Sequence, residues 1–243
     1  LGLFAQLLIA NFFSTTKQHE KAVEYLHRAL RISPKHVTSW VLLGHEYNEL
    51  GNHEGAIFAF THGAKIDPKD HRSWYGLGCT YDSLNLDEFA EYFLQHAITR
   101  SPKDTRLSLK LVSILERQNR HADCVDVLQK RLSEISEPDH YVSLKLASLF
   151  EGPLKSTRQA IEQYEKCLDT LKDDKHSEIR RAIRKKLGMH YYCEGIRTDA
   201  TSASDELADD RRRLLVRSKH HIEVYLANES TSDENAESDR KKN

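Results

Sequence analysis

The chain has 243 residues, and its 36 basic side chains are matched by 37 acidic ones, so no net field draws it to nucleic acid or to an anionic membrane. Apolar residues make up 39% and charged residues 30%, a balance that suits an all-helical protein with much exposed surface. No apolar run approaches the roughly 20 residues that a bilayer-spanning helix needs, and Cys79, Cys124, Cys167 and Cys193 follow neither a zinc pattern nor a dense disulfide framework.

The first expected element is LGLFAQLLIANFF, which lacks the basic n-region and small-residue cleavage site of a leader. It reads as the first helix of a unit over 3–36, entered part-way through a longer array. That unit carries Ile9, Ala10, Phe13, Ala22, Leu26, Ala29 and Pro34. A second unit, 37–70, repeats the pattern as Trp40, Leu43, Gly44, Tyr47, Ala56, Phe60, Gly63 and Pro68. A third, 71–104, gives Trp74, Leu77, Gly78, Tyr81, Ala90, Leu94, Ala97 and Pro102. The step is 34 residues throughout, and each slot has a packing reason. Small residues let two helices approach, large aromatics fill the wedge between hairpins, and proline cannot continue the preceding helix. Turns within the units are expected near 16–18, 51–53, 85–87 and 119–121.

The signal weakens downstream but persists. Residues 105–138 keep Leu111, Leu115, Cys124 and Leu128, with Pro138 two positions late, and 139–173 keep Leu146, Ala147, Phe150, Ala160, Tyr164 and Cys167 after one inserted residue. A degraded sixth unit and a capping helix are expected over 176–227, with the unit's slots in KKLGMHYY, 185–192, and the cap in RRRLLVRSKHHIEVYLA, 211–227. The segment 228–243 has too little apolar surface to offset ordering entropy and is expected to be disordered. The glycosylation sequon at Asn228 is a short motif of a kind that chance supplies often. The whole is expected to be one array over 1–227.

A 34-residue helix-turn-helix unit with these slots resembles the tetratricopeptide repeat. The fold class expected is all-α, a superhelical solenoid of about six units. In that architecture the first helix of each unit lines a concave groove, which becomes the candidate peptide site. Its outward positions are Leu7, Asn11 and Ser14, then Thr38, Val41, His45, Glu46 and Asn48, then Arg72, Tyr75, Cys79 and Asp82. Carboxylate, amide and aromatic groups on one wall suit an extended peptide with a basic anchor.

Catalytic chemistry is not legible. His45 and Glu46 begin like a zinc-protease helix, but Glu49 stands where the second histidine must be. His220 and His221 are adjacent and point apart on a helix, while His19, His53 and His121 are read as turn residues open to solvent. Cys124 and Cys167 fill small-residue slots, and Cys79 is expected to be exposed but without a base to activate it. EIRRAIRKK, 178–186, is basic, and a solvated face is the favoured reading over an import signal or an acidic partner. No enzyme, metal or cofactor is expected.

A finer resemblance rests on GHEYNELGNHEGAIFAF followed by DHRSWYGLGCTYDSL, on NFFSTTKQHEKAVEYLHRAL at 11–30, and on LKLASLFE at 144–151. These are similar to the tetratricopeptide subunits of the anaphase-promoting complex, a ubiquitin ligase of mitosis. The resemblance is nearer to the subunit-8 family (homologues of cell division cycle protein 23) than to the subunit-3 family. It implies a non-catalytic scaffold of nucleus and cytoplasm, with other subunits of that complex and a coactivator's C-box peptide as partners. It also implies homodimers formed through more N-terminal repeats. Of the family's groove residues, it carries over Asn11 and Glu46. Phe12 and Phe13 stand where the family tends to have tyrosines, and Cys79 where it often has glutamine.

Overall fold

The computed structural model of the protein describes residues 2–134, 139–171, 176–197 and 212–226, and the regular structure among them is helical. The helices are α1 (Leu3–Thr15), α2 (His19–Ile32), α3 (Val37–Glu49), α4 (His53–Ile66), α5 (His71–Ser83), α6 (Asp87–Arg100), α7 (Thr105–Arg117), α8 (His121–Glu134), α9 (His140–Glu151), α10 (Thr157–Thr170) and α11 (Ser177–Arg197). A last helix, α12, spans 212–226. The chain divides into two compact units, Leu1–Ser136 and Glu137–Asn243. Pro138, the Asn228 sequon and the segment 228–243 lie outside the described residues.

In the first unit four helical hairpins stack in chain order, α2 packing on both α1 and α3, α4 on α3 and α5, and α6 on α5 and α7. The 34-residue step seen in the side chains is also a backbone step. Each hairpin turn places one residue in the left-handed region: Lys17 at φ 58°, Gly51 at 71°, Asn85 at 57° and Asn119 at 59°. The next amide then reaches back to the closing turn of the preceding helix, as from Asn52 to the Tyr47 carbonyl (2.8 Å) and from Leu86 to that of Tyr81 (3.0 Å). That 6→1 bond satisfies a carbonyl which the helix end leaves without a partner.

Between hairpins the repeat closes differently. His36, Asp70 and Asp104 are the N-caps of α3, α5 and α7, and each side chain accepts a hydrogen bond from a first-turn amide. The Trp40 indole donates to the Pro34 carbonyl at 2.8 Å and Trp74 to that of Pro68 at 3.2 Å. The tryptophans thus do more than fill a wedge, since they also satisfy the turn that proline creates.

The small slot at Ala22, Ala56, Ala90 and Cys124 is completely buried in all four hairpins. Phe60, also fully buried, lies between two glycines from neighbouring hairpins. A Cβ at Gly44 would stand 2.7 Å from its ring, and one at Gly76 would stand 2.3 Å from it. Gly76 is not one of the motif slots, and the hairpin-to-hairpin contact depends on its missing side chain.

In the second unit α10 packs on α9 and α11, with Leu146, Ala147, Phe150, Ala160, Tyr164 and Cys167 all buried. Tyr164 donates to Glu151 at 2.7 Å, and Lys186 reaches the same carboxylate at 2.5 Å, tying α9, α10 and α11 together. KKLG lies within α11, which runs from Ser177 as one helix of 21 residues. Gly188 admits α12, where a Cβ would stand 2.7 Å from Ile222, and Ser218 Oγ donates to the Gly188 carbonyl at 2.9 Å.

Candidate functional site

The candidate wall is carried by the first helices of the hairpins, α1, α3 and α5, and its residues have different fates. Asn11 is exposed, midway along α1. Glu46 is not open: it is 4% exposed, and its Oε2 lies 2.8 Å from Nδ1 of His19. His19 is the first residue of α2, so the expected turn position is corrected, as it is for His53 and His121, which open α4 and α8. A carboxylate buried at a hairpin junction needs a donor, and the ring at the start of the preceding helix is the one within reach.

Further along, Asn48 Nδ2 donates to Thr80 Oγ1 at 2.9 Å, joining α3 to α5. His45 sits edge-on to Phe60 with ring centroids 5.1 Å apart, and desolvation holds its pKa below the usual histidine value despite Glu46 and Glu49. Val41 is 4% exposed and belongs to the core around Phe60, so it is corrected from wall to core. Arg72 is turned back on its own cap, its Nε 2.9 Å from Asp70 and its Nη2 3.4 Å from Thr38.

On α5, Tyr75 and Cys79 influence each other, and burial pushes the tyrosine up to about 12. Cys79 is half-buried rather than exposed, and burial raises its pKa, so the thiol stays protonated. Asp82 is held by Lys110 and by Arg117, each at 2.6 Å, and Arg117 also grips Asp87 at the start of α6. Burial alone would raise the Asp82 carboxyl, but the bonds from Lys110 and Arg117 outweigh it and hold the pKa below the usual aspartate value.

Most charges on this face therefore already have partners. His19, Thr80, Lys110 and Arg117 complete the face, and none was among the residues expected there. Of these, Thr80 could have been found from the 34-residue register, which places it at the slot of Glu46 one hairpin later. Among the described residues no group of three or more His, Cys, Asp or Glu could hold a metal ion, and no helix is long and apolar enough to cross a membrane.

Comparison with known proteins decides what the hairpins are. Residues 5–36, 37–70 and 71–104 match the tetratricopeptide repeat model. Those three hairpins are tetratricopeptide repeats. It is similar over 43 residues to anaphase-promoting complex subunit 8 of Arabidopsis thaliana (49% identical), to subunit CDC23 of the same complex in Saccharomyces cerevisiae (44%) and to subunit 8 of Dictyostelium discoideum (37%). Each match covers 18% of this chain and 7% of the relative's length. Among solved structures, MamA aligns at TM-score 0.55 with 20% identity, over 67% of this chain and 94% of that one. The Cut9–Hcn1 hetero-tetramer of the anaphase-promoting complex aligns at TM-score 0.53 with 16% identity, over 88% of this chain and 43% of that one. At such identities these likenesses establish the fold, an all-α tetratricopeptide-repeat solenoid, and nothing finer.

Proposed function

We propose that the chain is part of a non-catalytic scaffold subunit of the anaphase-promoting complex, of the subunit-8 kind, supporting ubiquitination of cell-cycle regulators. One observation carries this reading: the three relatives at 37–49% identity, from three organisms, are all subunits of that one assembly. The repeats supply the matching physical means, since stacked hairpins present a long continuous face to partners without a catalytic pocket. Neighbouring subunits of the complex are the partners expected on this reading. Residence in nucleus and cytoplasm and self-association through further repeats are part of the same proposal.

Within it, the groove receives a coactivator's C-box arginine. Asn11 offers an exposed amide, and Glu46 offers a carboxylate that the arginine reaches by displacing the His19 ring. A guanidinium presents two parallel donors where the imidazole presents one, which favours the exchange. Binding of a fluorescent C-box peptide tests this. Asn11→Ala and Glu46→Gln should each weaken it by roughly tenfold or more, as interface anchors do. Undiminished binding to both variants means the arginine is held elsewhere.

A generic peptide-docking adaptor is the second reading, since it would use the same fold. Its chaperone-type form needs free cations to clamp a terminal carboxylate. On this face Lys110 and Arg117 are instead bound to Asp82, and Arg72 to Asp70.

A further inference from the structure

The α11–α12 hairpin is charged unlike the rest of the chain. Residues 176–197 and 212–226 hold ten Lys and Arg against three Asp and Glu, leaving 26 against 34 elsewhere. A near-neutral protein has therefore concentrated its excess positive charge on one pair of packed helices.

Part of this charge converges on one place. Tyr191 of α11 and His221 of α12 stack with ring centroids 5.8 Å apart and planes 9° from parallel. The Arg217 guanidinium lies 5.8 Å from the Tyr191 ring, and its side chain is 63% exposed. Arg184 and Arg217 both act on His221, depressing its pKa after the larger effect of burial, and His221 Nδ1 is buried without a hydrogen-bond partner. Glu165 of α10 lies 3.9 Å from Arg217, and it already accepts the Tyr191 hydroxyl. Arg184 makes no ion pair among the described residues. Lys185, Arg212 and Lys219 extend the positive surface, all exposed, with Lys219 offset by an exposed i,i+4 contact to Glu223.

We propose that this hairpin face is a second docking surface, on helices other than those that carry the groove, for an acidic segment of a partner protein. Guanidinium groups pair with carboxylates through two parallel hydrogen bonds, and two of them around the stacked Tyr191 and His221 offer directional donors to Asp or Glu side chains. A short acidic segment suits the patch better than nucleic acid does. The described part of α12 is about 22 Å long at 1.5 Å per residue. A long polyanion would extend past this basic face and leave most of its charges unpaired.

The test is fluorescence anisotropy of a labelled peptide of alternating Glu and Ser against the full chain, across a salt series. Binding should weaken as salt rises, and Arg184→Ala with Arg217→Ala should weaken it about tenfold at constant salt. Because Arg184 is half-buried, Arg212→Glu with Lys219→Glu provides a second variant at exposed positions, with helix content checked by circular dichroism. It should lower affinity as well. Equal affinity in both variants and the parent overturns the proposal. So does equal binding of a Lys-Ser peptide, or tighter binding of a single-stranded RNA at physiological salt.

Discussion

Glu46 has a structural role at a hairpin junction that is independent of the proposed peptide site. It is buried, and a hydrogen bond from the preceding helix through His19 accompanies that burial. Glu46→Gln therefore removes a structural contact as well as a candidate ligand group. A loss of about 1 kcal/mol in thermal or denaturant stability is expected beside the loss of peptide binding. Asp82 differs in being held by two cations. Its depressed pKa means that its contribution is present above the unfolded aspartate value and disappears as pH falls through the folded one. Asp82→Asn should thus cost about 1 kcal/mol at neutral pH, and the gap to the parent should close below about pH 4. Denaturant midpoints at a series of pH values check this, and a gap independent of pH contradicts it. Gly76 is the most demanding residue of the core, because an added methyl at 2.3 Å from Phe60 must displace a fully buried ring. Gly76→Ala should lower stability by about 1–3 kcal/mol, whereas an unchanged melting curve would mean that the ring moves freely.

At the scale of the helical hairpin, the 34-residue register was legible because packing leaves little choice at Ala22, Ala56, Ala90 and Cys124, or at Trp40 and Trp74. The turns were expected at the same period, but the devices inside them were not read. Lys17, Gly51, Asn85 and Asn119 occupy one left-handed turn position, and His36, Asp70 and Asp104 one capping position. Residue identity there repeats only in part (Asn85 with Asn119, Asp70 with Asp104), so a pattern of side chains alone does not mark them. The groove contacts were hidden for another reason. Lys110 and Arg117 reach Asp82 from the next hairpin, and side-chain reach across a junction is not encoded in spacing. The turn position yields a prediction of its own. Lysine in the left-handed region carries a steric penalty that glycine avoids, so Lys17→Gly should raise stability by about 1 kcal/mol. A melting temperature at or below the parent's would show that the Lys17 side chain makes a compensating contribution to the fold.

For the whole molecule, the proposed scaffold role rests on tetratricopeptide hairpins and on the 43-residue likeness to anaphase-promoting complex subunits. The most direct measurement is affinity purification of the tagged chain from dividing cells, with co-purifying proteins quantified by mass spectrometry against an untagged control. Enrichment of several other subunits of the anaphase-promoting complex in constant proportion is the result expected. Enrichment of chaperones alone, with those subunits at control level, would contradict the account.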